Sequence, residues 1–279
     1  MHITYSTHIK EKKSSKLPLI ILFLVVVLIT GYHFYNKKNN IKTEELPTET
    51  PQDKQEEMEE EVEEEVIVNS AFTTIDGQEV YIAKDLVQRD HVRYPIVIYS
   101  HGSTYTVSKN PNNPLTNDLD LYADIFVNGG YIFAASNQHG DNWGNSTAIE
   151  DTKKLIQYLE ENYNTNGDIY LLGFSMGGLV TLNYAEKYPA NIKKIALLAP
   201  TSYANAWNSS RVAKIMDIPI KIWHGDKDVN VPYSMTANLV KKLQSLDKTV
   251  EVVTIPNVGH FDVDTEYTQD VLNFFNEKN

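Results

Sequence analysis

Apolar residues are grouped along this chain in two quite different ways. From Leu17 to Tyr35 they form one uninterrupted block, LPLIILFLVVVLITGYHFY, without a formal charge. As a helix rising ~1.5 Å per residue, that block spans ~28 Å, the thickness of a bilayer's hydrocarbon core. From residue 66 onward they come in short bursts of strand or helix period, separated by turn residues.

The bursts alternate. EVIVNSAFTTI and QEVYIAKD flank Asp76-Gly77, a dipeptide that takes up the positive φ angles of a tight hairpin. YPIVIYS (94–100) is apolar on both faces, as in a buried parallel strand. Leu119, Tyr122, Ile125 and Phe126 then recur at helical spacing over 118–128, stopped by Gly129-Gly130. The remainder reads as strand 131–136, helix from Thr147 to Asn162, strand 168–173, helix 177–188 and strand 195–199. Strand 219–225, helix 233–246, strand 249–256 and helix 265–277 complete it. Thr147 and Glu150 have the spacing of a capping box. Two hairpin strands and six more that alternate with helices, with no clear helix over 200–218, predict an α/β fold, an eight-stranded mostly parallel sheet covered on both faces, with ligands at the carboxyl ends of the strands.

Charge divides the chain further. Residues 1–40 carry +5, residues 41–65 carry −10, and residues 66–279 carry −7 of the total −12. Lys10, Lys12, Lys13 and Lys16 precede the apolar block, and Lys37, Lys38 and Lys42 follow it. The expectation is a basic cytoplasmic tail (1–16), an uncleaved transmembrane anchor (17–35), an acidic linker (36–65) and an outward-facing globular domain (66–279). A cleaved signal peptide is the main rival for the block. Bulky Tyr32, His33, Phe34 and Tyr35 after Gly31 leave no small-residue cleavage site for one. A core helix is the lesser rival, and a cation-binding role is the lesser reading of the acidic stretch. The net acidity argues against nucleic acid as a partner. The absence of cysteine removes disulfides, thiolate metal sites and cysteine nucleophiles.

Chemistry concentrates after the strands. Strand DIYLL runs into Gly173-Phe174-Ser175-Met176-Gly177-Gly178 and then directly into a helix. A serine held between glycines on a strand-to-helix turn is pushed above the sheet edge, with the helix's positive end behind it. A serine hydroxyl needs a base. His2, His8 and His33 belong to the anchor region, and His91 precedes a strand on the wrong edge. His101, His139, His224 and His260 remain. His260, in the loop after the last strand, is the best placed; His139 is its rival, and His224 reads as structural. Asp226 and Asp228, in His224-Gly-Asp-Lys-Asp-Val-Asn-Val-Pro232, are equal candidates for the acid by position alone.

G-F-S-M-G after the fifth strand, H-G-D-K-D-x-x-V-P after the seventh and V-G-H after the eighth resemble the α/β-hydrolase superfamily over roughly residues 72–279. The resemblance implies a catalytic domain with a Ser175–His260–Asp228 triad, Asp226 falling at the variable position. It implies an oxyanion hole from the backbone N–H of Met176 and of Ser103 or Thr104, in His101-Gly102-Ser103. The stretch YADIFVNGGYIFAASNQHGDN is similar to dienelactone-hydrolase-like and platelet-activating-factor-acetylhydrolase-like esterases, though without their cysteine nucleophile where one occurs. The nineteen or so residues between the sixth and seventh strands leave room for a short helix and not for a lid domain. Tyr105, Trp143, Tyr203 and Trp207 lie in loops at the same edge and are candidate pocket residues.

The function expected is that of a serine esterase on a small-molecule or lipid-like ester, with no cofactor and no metal, held to the membrane by its N-terminal helix. A peptidase or acyltransferase on the same fold, and a non-catalytic binding module, are the alternatives.

Overall fold

A computed structural model describes residues 66–87 and 91–278. The expected tail, anchor and linker lie outside the described residues, apart from the boundary at 66. Among the described residues no helix is long and apolar enough to cross a membrane.

Eight strands form one sheet: β1 (Val68–Ile75), β2 (Gln78–Asp85), β3 (Tyr94–Ser100), β4 (Ile132–Ser136), β5 (Thr165–Phe174), β6 (Ile192–Leu198), β7 (Ile220–Gly225) and β8 (Glu251–Ile255). Their spatial order is β1-β2-β4-β3-β5-β6-β7-β8. The β1/β2 and β2/β4 pairs are antiparallel and all later pairs are parallel. The hairpin is as tight as its dipeptide implied: Asp76 and Gly77 both have positive φ, and Ile75 pairs with Gln78.

Among the described residues six helices cover the sheet: α1 (Pro114–Asn128), α2 (Ser146–Asn162), α3 (Gly177–Lys187), α4 (Ser209–Lys214), α5 (Ser234–Gln244) and α6 (Thr268–Asn276). Alternating strand residues feed two separate cores. Ile96 and Ile98 pack with Leu155, Leu159, Leu182 and Leu239 from α2, α3 and α5. Val97 and Tyr99 face the other way, toward Leu119, Phe126, Val271 and Phe275 from α1 and α6. That period of two is why strands buried on both faces read as continuous apolar runs.

Several boundaries differ from the sequence reading. α1 begins at Pro114, earlier than 118, because proline suits the first helical turn. α2 is capped by Asn145, whose side chain accepts from the Ala148 amide, one residue before its first helical position. Thr147 is therefore inside the helix, and Glu150 is bonded to Lys187 (2.6 Å) and Tyr188 Oη (2.7 Å) instead of closing a capping box. The last helix starts at Thr268; residues 261–267 form two 3-10 turns. Between β6 and β7 stand only a 3-10 turn (Ala204–Ala206) and the six-residue α4.

Candidate active site

Ser175 sits at the carboxyl end of β5, immediately before α3. Its φ is +52°, a left-handed conformation that costs a non-glycine residue free energy and aims its side chain off the sheet edge. The turn is held by the Ser175 amide, which donates to Leu198 O (3.0 Å), and by the Gly178 and Thr201 amides, which donate to Ser175 O (3.0 and 2.8 Å). Gly173 is needed because a β-carbon there would meet the Gly177 carbonyl oxygen at 2.7 Å.

The hydroxyl meets an imidazole. Ser175 Oγ is 2.9 Å from His260 Nε2, and His260 Nδ1 is 2.6 Å from Asp228 Oδ2. All three residues are buried, each less than a tenth exposed. A carboxylate only accepts, so Nδ1 carries the proton and Nε2 is left to accept one from the serine. His260 lies beside the Phe174 ring, with centroids 5.0 Å apart, which restricts its tilt.

Asp228 is itself fixed from behind. Its Oδ1 accepts from the amides of Asn230 (2.9 Å) and Val231 (2.8 Å). Its Oδ2 also lies 3.2 Å from Nε2 of the wholly buried His224. That nitrogen faces two acceptors, since Val231 O is 2.8 Å away, and so it holds the ring proton; Nδ1 then accepts from Thr236 Oγ1 at 2.8 Å. Burial pushes the His224 pKa below the usual histidine range and keeps the ring neutral.

Asp226 does a different job. Its carboxylate accepts from the Asn257 amide (2.7 Å), while the Asp226 and Lys227 amides donate to Ile255 O and Val258 O (3.0 Å each). These bonds tie the loop after β7 to the loop after β8 and so place Asp228 next to His260. The two remaining candidate histidines have other partners. His101 is buried between the carbonyls of Gly102 (2.8 Å) and Asn137 (2.9 Å). His139 is half exposed and paired with Asp151 (2.6 Å) and Gln78 (3.3 Å), none of them a neighbour of Ser175 in the cavity.

The Met176 and Ser103 amides have no partner among the described residues, whereas the Thr104 amide donates to Asp141 Oδ1 at 2.6 Å. Of the two loop amides left open by the sequence, Ser103 is the one free to receive a ligand. Met176 directly follows Ser175 at the start of α3, and Ser103 lines the same cavity as the serine.

That cavity has a volume of about 360 Å³. Tyr105, Trp143 and Tyr203 line it, together with Thr201, Pro232, Met235 and Phe261, which the sequence did not single out. The signal available for Phe261 was its position: an apolar ring directly after His260, left 60% exposed. Trp207 is a correction. It is 3% exposed and packs in the core beneath α4, with the Arg211 guanidinium 4.5 Å from its ring centre, and it does not reach the cavity. Its indole is a loop anchor because α4 closes directly over it. Among the described residues no group of three or more His, Asp or Glu side chains converges to hold a metal ion.

Comparison with known proteins places this arrangement. A family described as phospholipase/carboxylesterase matches residues 131–279, which include the whole serine–aspartate–histidine set. An Acanthamoeba polyphaga mimivirus protein assigned as an alpha/beta hydrolase is 25% identical over 223 residues, covering 73% of this chain and 82% of its own length. A Mycoplasma pneumoniae protein assigned as an esterase/lipase is 25% identical over 209 residues, covering 64% of this chain and 72% of its own. Among solved structures, the feruloyl esterase module of Clostridium thermocellum superposes with TM-score 0.60 at 16% identity, over 76% of this chain and 89% of that one. A hydrolase from Thermoplasma acidophilum superposes with TM-score 0.55 at 20% identity, over 76% and 99%. These structural likenesses are likenesses of fold. The chain belongs to the phospholipase/carboxylesterase family and has the α/β-hydrolase fold.

Proposed function

We propose that the domain hydrolyses carboxylic esters through an acyl-serine formed on Ser175. The observation that carries this reading is the relay Asp228–His260–Ser175, with hydrogen bonds of 2.6 and 2.9 Å, beside two unpartnered amides. His260 Nε2 takes the Ser175 proton as Oγ attacks the ester carbonyl, and Asp228 stabilises the imidazolium. The developing oxyanion is received by the N–H groups of Met176 and Ser103. Such donors are worth roughly 3 kcal/mol each in barrier lowering. His260 then returns the proton to the leaving alcohol, and a water activated by the same nitrogen releases the acid. The names of the relatives, hydrolases and esterases, support ester substrates.

The open cleft, bounded by short turns and not by a lid domain, favours small or extended esters over buried ones. We further infer that residues 17–35 tether the domain to a membrane with residues 36–65 as spacer, on the strength of the uncharged block and the acidic stretch in the sequence. Membrane fractionation of the full chain, against a chain lacking residues 1–65, tests the tether; equal recovery in the soluble fraction would refute it.

The experiment for the activity is turnover of short p-nitrophenyl esters by the wild-type chain and by Ser175→Ala. The wild type is expected to release p-nitrophenol, and the variant to lose at least about a thousandfold in kcat. Unchanged turnover in the variant, or faster cleavage of peptides than of esters by the wild type, would sink the reading.

A further inference from the structure

A second, larger cavity opens beside the catalytic one. It has a volume of about 640 Å³ and lies between the 3-10 turn Ala204–Ala206 and α5. The two cavities are neighbours that share the lining residues Tyr203 and Met235. The second space is not apolar. Asn205 and Asn238 line it, and its far end is formed by Lys241 and Lys242.

What sets these two lysines apart from other unpaired ones, such as Lys84, Lys109 and Lys227, is that they line the cavity next to the catalytic one. Lys154, Lys187, Lys193, Lys214 and Lys221 each face a carboxylate, and the buried Lys194 and Lys248 cap backbone carbonyls. Lys241 and Lys242 have neither an ion-pair nor a hydrogen-bond partner for their ammonium groups among the described residues. No acidic side chain lines the groove. In a domain of net charge −7, two unpaired ammonium groups beside two amide side chains make this cavity lining locally positive. The plainer account is that two lysines in the last turn of α5 offset the negative end of the helix dipole. That account predicts an effect on stability and none on substrate choice.

We propose that the groove is a substrate subsite, and that the preferred ester carries an anionic oxygen group on its distal arm, received by Lys241 and Lys242. This rests on the esterase reading of Ser175 and narrows its substrate class. The anionic arm can belong to the acyl or to the alcohol side, so two matched pairs of probes are needed. Mono-p-nitrophenyl suberate and its methyl ester place a carboxylate or a neutral group on the acyl side, read by p-nitrophenol release. The butyrate esters of hydroxyoctanoate and of its methyl ester do the same on the alcohol side, read by butyrate release.

The full-length wild type is expected to show a kcat/KM about fivefold higher for the anionic member of one pair, the size of effect two exposed ion pairs give, and less at high salt. In K241Q/K242Q that preference is expected to disappear, while kcat/KM for both neutral probes stays unchanged. Hydrolysis of the neutral probes without an anionic preference in either pair, or a preference that survives in K241Q/K242Q, overturns the subsite and leaves the esterase reading standing. No release from any probe by the wild type overturns both. A lower melting temperature of the variant with unchanged substrate preference assigns the lysines to the helix dipole and overturns the subsite.

Discussion

Gly177 and Ser100 are in backbone contact: the α-carbon of Gly177 lies against the Ser100 carbonyl so closely that a β-carbon would overlap that oxygen. The contact locks the start of α3 to the end of β3, and so fixes the distance between the serine turn and the loop that carries the Ser103 amide. Backbone cannot rotate out of the way as a side chain can. Gly177→Ala is therefore expected to cost about 3 kcal/mol of folding stability, the upper end for overpacking. It should also lower kcat at least tenfold in the fraction that folds. Urea unfolding with ester turnover checks both; a variant of native stability and activity would show that the contact is slack.

In the proposed relay, His224 bears on His260 through Asp228. Its protonated Nε2 lies 3.2 Å from the carboxylate oxygen that receives His260. His224→Ala leaves the Val231 carbonyl and one side of Asp228 unpartnered inside the protein, and is expected to lower kcat roughly tenfold with KM little changed. It should cost about 2 kcal/mol of stability. Steady-state kinetics with urea unfolding tests this; a change in KM alone would contradict a positioning role.

The carboxylate of Asp141, which holds the Thr104 amide at 2.6 Å, leaves Ser103 as the free donor of its loop. Asp141→Ala is expected to reduce kcat roughly tenfold by loosening that loop, with folding stability within about 0.5 kcal/mol of wild type because the site is exposed. Parallel kinetics and thermal melts check it, and an unchanged kcat would mean that the loop is held elsewhere.

How much of this was legible in the chain depended on whether the cause was local. Ser175 was, because glycine spacing on a strand-to-helix turn is a local backbone requirement. His260 and the alternation of strands with helices after the hairpin were, because apolar period and loop position are also local. Asp226 and Asp228 were not separable by position, since both follow β7. What distinguishes them is that Asp226 is bound to the Asn257 amide and Asp228 to His260, a long-range difference. Trp207 could not be told from Tyr203 for the same reason: both are aromatics after β6, and only the closure of α4 buries one of them. The groove beyond Tyr203 was invisible, because α5 and the 3-10 turn that form it are separated by the whole of β7.

A buried acid gives the fold a pH dependence of definite sign. Asp264 is 5% exposed and accepts hydrogen bonds from the hydroxyls of Tyr122 and Tyr99, the latter at 3.3 Å. Burial raises its pKa to about 7, against ~3.9 in an unfolded chain. Between those values the native state keeps a proton that the unfolded chain has released. This group's contribution to stability is therefore greatest below about pH 4 and is lost as pH rises through about 7, by an amount on the order of 4 kcal/mol. Asp264→Asn keeps an oxygen for both tyrosines and removes the titration. Urea unfolding at about pH 5 and about pH 8 should show wild type losing stability relative to the variant on going to the higher pH. Parallel pH dependence of the two proteins would contradict the assignment.

Whether the hydroxyl at the β5–α3 turn is a working nucleophile is answered most directly by covalent capture. A fluorophosphonate reacts with a serine only when a base is within reach to remove its proton. Intact-protein mass spectrometry after incubation, followed by peptide mapping, should find one adduct per chain, located on Ser175, and none in His260→Ala. A wild-type chain that stays unlabelled under conditions where it is folded, or one labelled at some other residue, would contradict the account.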